Sequence, residues 1–146
     1  MDNSPASPFQ PQPLSNADER TWAMLAHLSI LLNLVTGVLG TVAALAIYLV
    51  YKDRSRYVAY QSLQSLLFQV IGWIGGGALV GGAWTISGLL APIGIGCLCM
   101  PFALLLTLTL LLMPVYGIIG AIQCNAGQDF RYWLVGDWVR STLTGS

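Results

Sequence analysis

The sequence predicts an all-α integral membrane protein with four hydrophobic helical segments and a C-terminal interfacial amphipathic helix. Three observations carry that prediction. Hydrophobic residues make up 55% of the 146 residues and charged residues 8%, against about 25% charge in a typical soluble domain. Lys+Arg 6 and Asp+Glu 6 cancel to a net charge of zero. Apart from Asp2, the charges fall in three clusters: Asp18-Glu19-Arg20; Lys52, Asp53, Arg54 and Arg56; and Asp129, Arg131, Asp137 and Arg140. The intervening residues 21–51 and 57–128 carry no formal charge. A neutral chain this apolar does not stay dispersed in water, which argues against a soluble enzyme. It lacks the basic surplus that nucleic-acid binding needs and the polarity of a disordered chain. Its partner is the lipid bilayer.

Residues 1–14, with Pro5, Pro8, Pro11 and Pro13 among Ser, Asn and Gln, bury too little apolar surface to offset their ordering entropy and read as a disordered tail. With no basic start and no hydrophobic core, the stretch does not read as a signal peptide. Residues 15–126 form the membrane domain and 127–146 an interfacial tail. Ser15 or Asn16 caps the first helix, with Asp18 and Glu19 in its first turn where the helix dipole favours acids. Trp22 is an interfacial anchor, and residues 22–33 are the first membrane helix. Thr36, Gly37 and Gly40 interrupt the pattern before a second apolar run over 41–51. Residues 21–51 are therefore either one long tilted helix or a short hairpin around Gly37–Gly40. Lys52, Arg54 and Arg56 form a loop that the positive-inside rule places in the cytoplasm. That favours the hairpin, with both termini on the cytoplasmic side of a bacterial inner membrane. Each arm is short for a 30 Å crossing and requires tilting or partial insertion.

The third segment spans about 58–86. Gln61, Ser65 and Gln69 recur at spacing four and share a face, which points at other helices or at water because bare amides are costly in hydrocarbon. Gly72-x-x-x-Gly76 and Gly77-x-x-x-Gly81 offer small faces for close helix approach, and Gly75-Gly76-Gly77 is a candidate break. Residues 88–96, with Pro92, connect to a fourth segment over 97–124, which Pro114 kinks. In the tail, Phe130, Trp133, Leu134, Trp138 and Val139 alternate with Arg131, Asp137 and Arg140 as an amphipathic interfacial helix. Trp133, Trp138 and Tyr132 suit the headgroup level.

Candidate chemistry is sparse. Cys97-x-Cys99-Met100 is the only soft-ligand cluster, and metal sites need three or four ligands, so the cysteines read as small buried hydrophobes. His27, the only histidine, is an ionisable group inside a membrane segment and so a proton-carrier candidate. Its position near the interface beside Ser29 favours a structural role between helices, as for Asn33. No hydrolase elbow, phosphate loop or paired intramembrane carboxylates are present. No catalytic residue, metal ligand or cofactor is assigned.

Four ordered blocks carry a resemblance. They are Asp18-Glu19-Arg20-Thr21-Trp22-Ala23-Met24-Leu25-Ala26-His27-Leu28-Ser29, the loop Tyr48 to Val58, the helix start Ala59-Tyr60-Gln61-Ser62-Leu63-Gln64-Ser65-Leu66-Leu67-Phe68-Gln69, and Gly127-Gln128-Asp129-Phe130-Arg131-Tyr132. Over roughly residues 16–140 the chain resembles the bacterial Tic-twenty-like family of small membrane proteins of unknown function, relatives of a chloroplast inner-envelope import component. The family often has a histidine where Gln61 stands and a proline where Trp133 stands, so no role tied to that histidine carries over. The resemblance implies four helical segments with both ends on one side. Three functions follow as expectations: an accessory or structural subunit packing against membrane partners or copies of itself; a conduit or translocation component using the Gln61/Ser65/Gln69 stripe; and a redox or enzymatic role for Cys97 and Cys99. The first fits the residues best.

Overall fold

Ser15 starts the first helix as the residues predict: its hydroxyl accepts from the Asp18 backbone N–H at 3.2 Å. The structure, a computed structural model, describes residues 12–144, so the proposed tail over 1–14 lies outside the described residues as far as residue 11. Helix α1 (Asn16–Leu28) and α2 (Ile30–Thr36) meet at Ser29, whose hydroxyl turns back to Ala26 O at 2.8 Å. Gly37, at φ 78°, reverses the chain into α3 (Leu39–Tyr51). This is a hairpin, because Trp22 near one end and Tyr51 at the other have ring centroids 4.7 Å apart. A single straight helix would separate them by about 43 Å.

The next charged loop leads to α4 (Arg56–Gln69), capped by Ser55, which accepts from Val58 N at 3.1 Å. A π-helical stretch (Val70–Gly76) and α5 (Gly77–Leu90) continue it. The glycines at 75–77 thus widen the helix rather than break it, and the wider π turn keeps the backbone bonded where an interruption would leave it bare in hydrocarbon. A short 3-10 turn (Ala91–Ile93) and Gly94 reverse the chain into α6 (Ile95–Leu111) and α7 (Met113–Asn125). The two meet at Leu112, two residues before Pro114, which has no N–H to continue the ladder. After an irregular stretch, α8 (Gly136–Thr144) closes the described chain.

Every regular element among the described residues is helical. Two stretches, Arg56–Ile93 and Ile95–Asn125, are long and apolar enough to cross a membrane, where four segments were expected. The first hairpin fails on length: α3, at 13 residues, reaches only about 20 Å against a 30 Å hydrocarbon core. The tail differs too. Helix was expected over the whole of 129–143, yet it starts only at Gly136. Phe130, Tyr132 and Val135 leave the helical period because they are drawn into the core. The two spans pack on each other through α5 and α6, while α1 packs on α7 and α4, and α3 on α4.

The fold brings the three charge clusters to one end. Ser55 donates to Glu19 at 2.5 Å, the Tyr57 hydroxyl donates to Gln128 O at 2.8 Å, and Arg140 pairs with Asp129. The opposite end, around Ala91–Ile93, carries no charge and exposes Leu89, Ile93 and Leu98.

Candidate functional site

Helix α4 turns its polar stripe inward, against α1, the hairpin and the tail. His27, Gln61, Gln64, Ser65 and Gln69 are all fully buried. Gln61 Nε2 faces two acceptors, Asp129 Oδ1 and Phe130 O, each at 3.2 Å. That orients the amide so that Oε1 accepts from His27 Nε2 at 3.0 Å. In the neutral imidazole Nδ1 then accepts from the Tyr132 hydroxyl, also at 3.0 Å. Burial pushes the Tyr132 hydroxyl upward from its ordinary range, which keeps the proton on this donor. Gln64 bonds Gln61, donates to Phe130 O at 2.8 Å and accepts from Tyr132 N at 3.1 Å.

One turn further along α4 the same logic ties down the hairpin. Ser65 donates to Ala26 O at 2.7 Å, and Gln69 donates to Ser29 Oγ at 3.0 Å and Ser65 Oγ at 3.1 Å. Asn33 donates to Gln69 Oε1 at 2.9 Å and accepts from Gly40 N at 2.7 Å, bridging the two arms. Asn33 and His27 therefore both work between helices. Among the described residues, Trp73 Nε1 is the only buried side-chain polar atom with no partner.

An aromatic cluster seals this network at the tail. Tyr132 stacks on Phe68 with ring centroids 4.1 Å apart and meets Phe130 and Tyr116 edge-on at 4.8 and 5.1 Å. Edge-to-face pairs of this kind contribute beyond their area. Helix α7 comes this close only because residue 120 is glycine: a Cβ there would sit 2.7 Å from the Phe130 ring and 3.1 Å from His27 Nδ1.

The arrangement holds helices together. Both His27 nitrogens are engaged, and the stripe faces protein rather than a water-filled path. Gly72 lies against Met113 and Gly76 against Leu110, whereas a Cβ at Gly77 or Gly81 would meet nothing within 4 Å. Trp22 is half-buried against Tyr51; Trp133 and Trp138 stand exposed on the tail. Lys52 and Arg56 are exposed, while Arg54 lies over the Tyr51 ring. Of the cysteines expected as buried hydrophobes only Cys124 is buried; Cys97 is exposed and Cys99 partly so, and all three are free. No group of three or more His, Cys, Asp or Glu gathers among the described residues.

Sequence reasoning missed Gln64 as a site residue and placed Tyr132 at the headgroup level. Gln64 stands three residues after Gln61, on the same helix face, and that spacing was the available signal. Nothing local marks Tyr132, because its partners lie 64 and 105 positions away, at Phe68 and His27.

The comparisons overturn the Tic-twenty-like assignment. No curated protein and no solved structure matches the chain. One family profile does, over residues 18–139, and it is a different family from the one the four blocks suggested. Those blocks are helix starts and charged loops, features that small helical membrane proteins share, so they did not discriminate between families. The matched region takes in every residue of the His27–Gln61–Tyr132 network, and by that match the chain belongs to the magnetosome magnetite crystal formation protein family (MamF/MmsF).

Proposed function

We propose that this protein is a non-catalytic helical component of the membrane in which magnetite crystals form, acting by packing against other membrane proteins or further copies of itself. The observation that carries the reading is the closure of the polar core. His27, Gln61, Gln64 and Gln69 are fully buried and bonded to one another or to the backbone. Groups spent on holding helices together are not available to a substrate, so the action lies at surfaces. The family match supports the process. The two spans, little buried within the chain itself, supply apolar faces for lipid and for neighbouring helices.

In a magnetite-forming bacterium that carries this gene, its deletion should change crystal size or number in electron micrographs, and the wild-type chain should restore them. Unchanged crystals would remove the role in crystal formation. Solubilised in mild detergent, the protein should migrate as an assembly; a monomer with no co-purifying protein would remove the packing role.

The same reading puts the charged end, with both termini, on the cytoplasmic side, because Lys52, Arg54 and Arg56 share one short loop. In a chain lacking its own cysteines, a cysteine replacing Arg54 or Arg56 should resist membrane-impermeant thiol reagents applied to intact cells. Labelling of both from outside would reverse the orientation.

A further inference from the structure

We propose that the cavity at the charged end binds a phosphate-bearing headgroup, that of an anionic phospholipid such as phosphatidylglycerol. The cavity is about 430 Å³ and lies between the end of α3, the first turn of α4 and α8. That is within the usual size of a small-molecule pocket. Its wall carries Lys52, Arg56, Arg140 and Asp129, with Tyr60 and Leu143 forming an apolar side.

The charges divide into a satisfied pair and an unsatisfied one. Asp129 is held through Oδ2 by Arg140 and through Oδ1 by Gln61, and the Arg140 guanidinium also lies 4.9 Å from the Tyr60 ring centroid. Lys52 and Arg56 have no ion-pair partner among the described residues, and both line the cavity. The neighbouring Arg54 is turned elsewhere, its Nε donating to Gln12 O at 3.0 Å. The pocket therefore presents two uncompensated positive charges over the first turn of α4. There Ser55 takes the Val58 N–H, and the earlier N–H groups have no acceptor within the helix. The helix dipole at this end adds to the attraction for an anion.

Depth selects the source of the phosphate. The cavity sits where Arg56 opens one span and just beyond Asn125, where the other ends, beside a tail that exposes Trp133 and Trp138. These are marks of the headgroup layer, where the bilayer's own phosphates lie. Tyr60 and Leu143 supply the apolar side that a glycerol and the first acyl carbons would touch, which free phosphate does not need. The pairing of juxtamembrane cations with anionic lipid is worth about 1 kcal/mol per Lys or Arg.

The test uses the full chain purified in mild detergent, with bound lipid counted by native mass spectrometry. Phosphatidylglycerol, phosphatidylcholine and inorganic phosphate serve as probes. Wild type should retain phosphatidylglycerol over phosphatidylcholine, and Lys52→Gln/Arg56→Gln should weaken that retention about 30-fold, from two cations. Arg131→Gln, which removes a cation paired with Asp137 outside the cavity, should change nothing. Lys52→Arg/Arg56→Lys should keep the binding. If the double neutralisation does not fold, Lys52→Gln alone should still weaken retention about 5-fold. Displacement of the lipid by millimolar phosphate would show that the phosphate itself is what the pocket recognises. Phosphate binding without lipid preference would overturn the lipid assignment. Wild-type retention in a folded Lys52→Gln/Arg56→Gln variant would overturn the site.

Discussion

Replacing Gln61 with Leu should destabilise the folded chain by about 3 kcal/mol in a detergent unfolding titration. Gln61 takes part in four hydrogen bonds, to His27, Gln64, Asp129 and Phe130. Three of these leave α4, and interhelical bonds in membrane proteins average about 0.6 kcal/mol each, which gives about 1.8 kcal/mol for the three. The remainder comes from His27 Nε2, left buried without an acceptor, a cost of about 1–3 kcal/mol. Phe130 O keeps its bond from Gln64, which limits the total. A double-mutant cycle makes the claim specific. His27→Leu/Gln61→Leu should be less damaging than the sum of the single changes by about 1–2 kcal/mol, because the second substitution removes a group the first has orphaned. Additive losses would mean that the two side chains do not depend on each other.

Gly120→Leu should cost about 3 kcal/mol or more and loosen α1 from α7. Its Cβ alone would press on the Phe130 ring at 2.7 and 2.8 Å. That ring has nowhere to go, being held edge-on by Tyr132, Tyr116 and His27, and overpacking a fixed site costs about 1–3 kcal/mol before the extra carbons of leucine are counted. Gly77→Leu is the matched control, since a Cβ at 77 meets nothing within 4 Å. It should leave stability within about 0.5 kcal/mol of wild type. Equal effects at the two positions would show that α7 does not approach the tail as closely as described.

These expectations separate what was legible in the residues from what was not. The Gln61/Ser65/Gln69 face was legible because helical spacing is a property of the chain itself. The hairpin turn was only half legible. Gly37 allowed the reversal, but the same residues fitted one long helix until the Trp22–Tyr51 contact excluded it. The expectation of four membrane segments failed because low charge over 21–51 reports composition, whereas a crossing requires length.

The tail shows the limit most clearly. Phe130, Trp133, Leu134, Trp138 and Val139 recur among charged residues as the apolar face of a surface helix would, and taken alone they and Tyr132 suit an interface. Phe130, Tyr132 and Val135 are buried instead, packed against the partly buried Phe68 and Tyr116, and cap the polar core.

By itself, then, the sequence determined an all-helical, charge-poor chain suited to a membrane, and the separation of its charges by long apolar runs. Both follow from transfer free energies and helical period, which act residue by residue. Only the tertiary structure decided that the three charge clusters meet at one end and that His27, Gln61 and Tyr132 meet inside. Those meetings join positions up to 105 residues apart, and local preferences carry no information about which distant groups will satisfy one another once water is excluded.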